Sequence, residues 1–365
     1  MNARRFAPKF GLWVAAFAAA LMLLLVGAWT WWGEDSPEQE RQLRNLVQDH
    51  LTLWFPEQMH PSTAGYGLIP VRPETPSADV PRVLLVHGLD EPGGIWDELI
   101  PALEASGLGV WEFRYPNDQA IDRSADLLAD EWAKLVGERP VVLVGHSMGG
   151  LVIRDFVSRH RHPVGAPPRV AGPDVGGAIL IGTPSQGSDW ARLRVWLELR
   201  ELFAVAEDRR FSLFAALRDG TGAAKIDLRP GSAFLADLNS RAWPEAVPLG
   251  ILGGSLPDPP PSLETSLRAI SEDLVSDELE QALRDWWLEL GKGLGDGVVP
   301  VTSLSFPGAP SPILMPASHR GLLVRRFALD PEPQAIGHVL GLISEWHGST
   351  GFPMEPHSAN ESPFE

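Results

Sequence analysis

Val141-Val142-Leu143-Val144 runs without interruption into Gly145-His146-Ser147-Met148-Gly149, and Gly150, Leu151, Val152 and Ile153 follow. The four aliphatic residues read as a buried strand, and the apolar run after the glycines reads as a helix. The turn between them must be sharp. It holds the serine in a strained backbone with its hydroxyl clear of the sheet. Positions 145 and 149 must be small, because strand and helix nearly collide there and glycine alone lacks a Cβ. The helix beginning at Met148 directs its first N–H groups at an oxygen that gains charge when the hydroxyl attacks. Gly-x-Ser-x-Gly by itself arises by chance; the strand before it and the helix after it make it specific.

Around this stretch, strands and helices alternate. Val83-Leu84-Leu85-Val86-His87-Gly88-Leu89 reads as a buried strand ending in His-Gly. Ile95 to Ala105 reads as helix, Gly109 to Phe113 as strand, and Ile121 to Val136 as helix with Leu127, Leu128, Trp132, Leu135 and Val136 on its core face. Helix 148–160 and strands at 177–181, 247–252 and 312–315 continue the pattern, and an edge strand is expected around Tyr66 to Val71. Such alternation implies a mostly parallel, doubly wound α/β sheet.

The N-terminal segment is of another kind. Residues 10–32 carry no charge over 23 positions. As a helix they span roughly 35 Å, enough to cross a bilayer core. Arg4, Arg5 and Lys9 precede them and Glu34 and Asp35 follow. The positive flank belongs inside, which puts the N-terminus in the cytoplasm and the rest of the chain outside it. The competing reading is a signal peptide cleaved near Ala28, which would release a secreted protein. Ser36-Pro37-Glu38-Gln39 reads as a helix start, with serine as N-cap and proline at the first helical position. Leu43, Leu46, Val47, His50, Leu51 and Trp54 then recur at helical spacing, as in an amphipathic stalk or packing helix.

The stretch GHSMGG resembles the nucleophile elbow of α/β-hydrolase lipases and esterases. Gly182-Thr183-Pro184-Ser185-Gln186-Gly187-Ser188 resembles a loop of triacylglycerol lipases and the related GPI inositol-deacylase-like esterases. Phe113-Arg114-Tyr115-Pro116 and the segment Pro230 to Asn239 are similar to the same group. The resemblance covers most of residues 82–345 and no part of the first 80. It implies an α/β-hydrolase fold. It also implies an oxyanion hole made by the backbone N–H groups of Leu89 and Met148. His87 is expected to shape that loop, not to act as a base. Trp190, Leu193 and Leu197 form one apolar stripe, and Trp196, Leu199 and Phe203 form a second beside it. In the resembling lipases an insertion at this place caps the acyl pocket; the alternative is an ordinary buried helix. The expected organisation is therefore an anchor or signal peptide (1–33), a stalk and edge segment (34–81), and a catalytic domain (82–349). That domain carries helical cap insertions near 189–229 and 256–292, and a disordered tail (350–365) follows it.

An acyl-transfer serine needs a base and an acid that orients the base. Asp296 lies between glycines in Gly295-Asp296-Gly297-Val298-Val299-Pro300, after the last third of the sheet has begun. Asp-Gly is also a common turn dipeptide, and the residues alone leave the two readings even. The string also resembles the acid loop of the named lipases, which favours Asp296 as the triad acid. Among the later histidines, His319 follows the strand-like Pro312 to Met315, where the base belongs. His338 falls inside a helical segment and is held in reserve, His347 ends that helix, and His357 lies in the polar tail. His160 and His162 sit at the far end of the nucleophile helix.

The reading is a serine hydrolase of carboxylic esters, with Ser147, Asp296 and His319 as its triad and a lipid or long-chain ester as substrate. Alternatives are an acyltransferase or thioesterase with the same triad, or a catalytically silent membrane-tethered binding module. The chain has no cysteine, which excludes thiol catalysis, disulfides and Cys-ligated zinc. Its net charge is −17, and the residues beyond the N-terminal basic cluster are more negative still. Nucleic acid is therefore not expected as a partner. No cofactor or metal is expected either; a Ca²⁺ site at Asp296 would compete with its triad role.

Overall fold

The apolar runs read from the sequence become the middle of one sheet. The computed structural model describes residues 7–59, 65–72, 82–89, 94–135, 139–189, 221–255, 295–325 and 330–349, with Gly137 and Gly293. Seven strands form a single sheet: β1 (Gly67–Pro70), β2 (Val83–Val86), β3 (Val110–Arg114), β4 (Val141–His146), β5 (Val175–Ile181), β6 (Leu249–Ser255) and β7 (Ile313–Pro316). Their spatial order is β1-β3-β2-β4-β5-β6-β7. Only β1 runs antiparallel, against β3; every other pairing is parallel. The doubly wound expectation holds, and the expected edge strand is β1.

Because successive side chains point to opposite faces, the strands feed two cores. Leu84, Val86, Phe113, Leu143 and Leu180 pack on one face against the helices at Ile121–Trp132 and Met148–Asp155. Val83, Leu85, Val144, Ile179 and Ile181 pack on the other against those at Leu99–Ala105 and Gln334–Ser349. In chain order the helices are α1 (Ala7–Asp35), α2 (Pro37–Trp54), α3 (Leu99–Ala105), α4 (Ile121–Trp132), α5 (Met148–Asp155), α6 (Ala223–Asp227), α7 (Ala233–Ser240) and α8 (Gln334–Ser349). A π-helical stretch at Phe156–Arg161 continues α5.

Several expectations need correction. α4 ends at Trp132 and buries Ile121, Ser124, Ala125, Leu128, Ala129 and Trp132, while Leu127 and Leu135 are only half-buried. Ser36 makes no side-chain cap; its N–H donates to Trp32 O at 2.8 Å, so α2 follows α1 across a bend, with Pro37 opening it. Residues 7–35 do form a helix, but among the described residues no helix is long and apolar enough to cross a membrane. The first cap stripe, at Trp190, Leu193 and Leu197, lies outside the described residues. So do the second stripe, the insertion at 256–292 and the tail.

Of the two readings of α2, stalk or packing helix, inward packing of the stripe is not what the structure shows: Leu43, Leu46, Val47, Leu53 and Trp54 are exposed. The buried positions are Glu40 and Gln48. The helix is fixed by its polar side instead. Arg41 Nε donates to Asp227 Oδ1 at 2.6 Å, and Arg41 Nη2 lies 2.8 Å from Asp122 Oδ1. Arg123 reaches Asp49 at 2.6 Å, and Arg44 pairs with Glu40 at 2.9 Å and also donates to the Thr221 carbonyl.

Candidate active site

The turn after β4 carries the strain that its sequence demands. Ser147 has φ +54° and is the one non-glycine residue with positive φ among those described. That conformation costs about 1–2 kcal/mol for an L-residue, so the surroundings must hold it. The Ser147 N–H donates to Ile181 O at 2.8 Å, and the Gly150 N–H returns to Ser147 O at 3.1 Å. A Cβ on Gly149 would lie 2.0 Å from Val86 O, so the helix can approach β2 only with glycine there. Gly150 is held as tightly: its Cβ would meet Thr183 Oγ1 at 2.0 Å. That contact ties the elbow to the loop after β5, which the spacing of the motif alone did not reveal.

Asp296 and His319 are brought together. Asp296 Oδ2 lies 2.7 Å from His319 Nδ1, and the His319 N–H donates to Asp296 O at 3.0 Å. The other carboxylate oxygen, Oδ1, accepts from Val298 N at 2.9 Å and Val299 N at 2.8 Å. The Gly-Asp-Gly loop is therefore no plain turn. It tucks a fully buried carboxylate inward, with both oxygens occupied. The loop after β7 hands His319 to that carboxylate, leaving its side chain 15% exposed.

The ring of His319 packs on that of His146, the residue before Ser147, with centroids 4.7 Å apart. His319 is thus beside the elbow, although among the described residues Ser147 Oγ and His319 make no hydrogen bond. Catalytic hydrogen bonds are often loose before substrate binds. On the other side, a Cβ on Gly88 would lie 2.8 Å from Ser147 Cβ and 3.4 Å from Ser147 Oγ. The His-Gly strand end therefore passes directly over the serine. Leu89 follows Gly88 in this loop, and Met148, buried, is the first residue of α5.

His87 points into the body of the protein. It is buried and stacked on Tyr115 at 4.6 Å, and its carbonyl accepts the Tyr115 hydroxyl at 2.5 Å. Burial holds its pKa below the usual imidazole range. His338 sits exposed on α8 and has no part in the site. His160 pairs with Asp126 at 2.9 Å, and His162 accepts from Val175 N at 3.2 Å, both away from the elbow. Among the described residues no cluster of carboxylate and imidazole groups converges where a metal would sit.

Two residues near Asp296 and His319 were not singled out from sequence. His146 is buried, with Nε2 3.2 Å from the His319 carbonyl. Gly182, at φ +57°, leaves room for the Asp296–His319 pair: a Cβ there would stand 3.1 Å from His319 Nδ1 and 3.2 Å from Asp296 Oδ2. Its place at the end of an apolar strand, before Thr183-Pro184, was the available signal.

The chain is similar to several known proteins. The sequence model described as Alpha/beta hydrolase family matches residues 83–309. Lipase LipV of Mycobacterium tuberculosis (strain ATCC 25618 / H37Rv) is 30% identical over 123 residues, 31% of this chain. The matched stretch spans 41% of that relative's own length. Among solved structures, the mature Bacillus licheniformis lipase BlEst2 aligns over 76% of this chain and 97% of its own, at 16% identity and TM-score 0.48. The Staphylococcus hyicus lipase aligns over 75% and 97%, at 13% identity and TM-score 0.47. These matches do not single out the GPI inositol-deacylase-like group. The family match takes in the elbow, the His-Gly strand end and the acid loop, and the chain belongs to the alpha/beta hydrolase family.

Proposed function

We propose that the chain hydrolyses carboxylic esters through an acyl-serine intermediate. The observation that carries this reading is the buried Asp296–His319 pair, 2.7 Å apart, beside a serine held at positive φ. Ser147 Oγ attacks the acyl carbon while His319 Nε2 takes its proton. Asp296 keeps the proton of the imidazole on Nδ1 and stabilises the imidazolium that forms. The N–H groups of Leu89 and Met148 receive the negative oxygen of the tetrahedral intermediate. Collapse expels the alcohol, which leaves with the proton from His319. Water, deprotonated by the same imidazole, then releases the acid and restores Ser147.

A lipid or long-chain acyl ester is the proposed substrate. The lipase relative and the paired apolar stripes of residues 190–203 support it. We also propose that residues 10–32 attach the protein to a membrane. The uncharged run, its basic flank and the exposed Trp13, Phe17, Met22 and Leu24 of α1 support that attachment. Separation of membrane and soluble fractions after alkaline extraction tests it; recovery in the soluble fraction overturns it.

The catalytic reading is tested with p-nitrophenyl esters from butyrate to palmitate, comparing wild type with Ser147→Ala and His319→Ala. Loss of turnover in both variants is expected, with long chains preferred by wild type. Full activity in Ser147→Ala would remove the serine mechanism. Preference for butyrate would remove the long-chain substrate and leave the mechanism intact.

A further inference from the structure

The outward face of α2 is apolar and uncharged, and the helix cannot turn it away. Leu43, Leu46, Val47, His50, Leu53 and Trp54 share one side of the helix, and all six are exposed. The opposite side is held by Arg41 on Asp227 and Asp122, and by the Arg123–Asp49 pair. A soluble surface helix ordinarily does the reverse, presenting charge to water and burying its apolar stripe. Here rotation to hide the stripe would break long-range ion pairs, including one to the buried Asp227.

The direction of α2 relative to α1 follows from one contact. The Arg44 guanidinium lies 5.8 Å from the centre of the Trp29 ring. Fifteen residues of straight helix would separate those two backbones by about 22 Å, beyond the reach of the two side chains. The chain therefore bends strongly at Ser36–Pro37. Both helices carry exposed apolar side chains, Trp13, Phe17, Met22 and Leu24 on α1 and Leu43, Leu46, Val47, Leu53 and Trp54 on α2. A helix meeting a bilayer steeply would leave α2 lying along its surface.

The placement of α2 also bears on the site. Its partner helix α6 begins where the Gly222 and Ala224 N–H groups donate to Asp118 O, in the loop that leaves β3. Leu228, just after α6, accepts from Ser188 N in the loop that leaves β5. Both loops lie at the carboxyl end of the sheet, where Ser147 stands. We propose that the outward face of α2 lies against a lipid surface and sets the catalytic rim at that surface. Apolar burial drives the contact. Apart from His50 the strip carries no ionisable side chain, whereas the chain as a whole, at −17, is repelled by anionic lipid. The inference deepens the proposed action on lipid esters and rests on it for its purpose, but its geometry does not depend on residues 10–32 crossing the bilayer.

The absence of cysteine makes the test direct, since each introduced cysteine is unique. Full-length protein carrying Leu46→Cys, Val47→Cys, Met22→Cys or Ser106→Cys is labelled with an environment-sensitive fluorophore. Each is mixed with phosphatidylcholine vesicles, plain or brominated in the acyl chain. Retained ester hydrolysis reports that the exposed substitutions leave the fold intact. Positions 46 and 47 are expected to shift to the blue with vesicles and to lose intensity in brominated lipid. Ser106, on the opposite face of the sheet, is expected to do neither. If 46 and 47 behave like 106 while 22 is quenched, α1 alone holds the membrane and the inference fails. If 46, 47 and 22 all stay unquenched, both membrane proposals fail. If 46 and 47 are blue-shifted without lipid and stay unquenched with it, protein covers the face, and the inference again fails.

Discussion

His146 Nε2 lies 3.2 Å from the carbonyl oxygen of His319. A carbonyl only accepts, so the bond requires the imidazole proton on Nε2. Nδ1 is then a bare acceptor, buried with no partner among the described residues. Burial, reinforced by the neighbouring His319 charge, holds the His146 pKa well below the usual imidazole range. Below about pH 6.5 an unfolded histidine binds a proton that native His146 refuses. The unfolded state then binds more protons than the native state, and stability falls as pH falls. His146→Phe keeps the ring and removes the titration. Its melting temperature is expected to decline less between pH 7 and pH 5 than that of wild type, though His87 and His162 retain part of the slope. Scanning calorimetry at the two pH values measures this. An unchanged slope would mean that His146 is not the group that resists protonation.

Gly182→Ala is expected to damage catalysis more than stability. At φ +57° an alanine is strained by about 1–2 kcal/mol. Its Cβ would also press on both His319 and Asp296, 3.1 and 3.2 Å away. A displacement of the pair by a fraction of an ångström is enough to spoil proton transfer, and misplacement by 1 Å costs roughly 100-fold. The expected result is a fall in kcat of at least about tenfold with KM little changed, and a Tm only a few degrees lower. Wild-type kcat in this variant would show that the pair tolerates the intrusion.

Asp296→Asn separates orientation from architecture. The asparagine carbonyl can still accept from Val298 and Val299, so the loop keeps its form. The amide nitrogen then faces His319 Nδ1 and cannot accept its proton, which favours the wrong tautomer. A kcat loss of roughly 10³–10⁴-fold is expected from the comparable change in serine proteases, at nearly unchanged Tm. A loss below tenfold would remove Asp296 from its orienting role.

The elbow could be read from the sequence because its geometry admits few residues. Gly145 and Gly149 are forced by contacts with Gly150 N and Val86 O, and a strand feeding a helix is visible as apolar runs. His319 was singled out by its loop after the last strand, whereas Asp296 stood even with a plain Asp-Gly turn until the resemblance of its loop to the acid loop of lipases favoured it. His146 stayed hidden because nothing in a motif tells an exposed variable position from a buried one. The orientation of α2 could not be read at all. Periodicity locates an apolar stripe but not the environment it meets. The pairing of Arg41 with Asp227, 186 residues away, decides which side faces the body. The core face expected of α4 was misplaced for a related reason: Ser124 and Ala125, which are buried, look neutral in sequence.

The Arg41–Asp227 pair yields a prediction whose sign depends on pH. Asp227 is buried; its Oδ1 accepts from Arg41 and its Oδ2 from Ile121 N. Burial pushes its carboxyl up to about 7, with Arg41 opposing. An unfolded aspartate titrates near 3.9. Between those values the native state holds a proton that the unfolded state has lost, so stability declines as pH rises, and in wild type the decline stops above about pH 7. Arg41→Met removes the opposing charge and raises the carboxyl further. The decline then continues into the alkaline range, at up to about 1.4 kcal/mol per pH unit. The variant, which also loses the Asp122 contact, should therefore fall progressively further below wild type from pH 6 to pH 9, towards the roughly 3–5 kcal/mol that a broken buried pair costs. Arg41→Met/Asp227→Asn, with no carboxylate left to bury, should lose the pH dependence and recover most of the stability. Denaturant unfolding of the three proteins at pH 6 and pH 9 provides the comparison. Equal destabilisation of the single variant at both values would mean that Arg41 holds α2 by packing and not by charge.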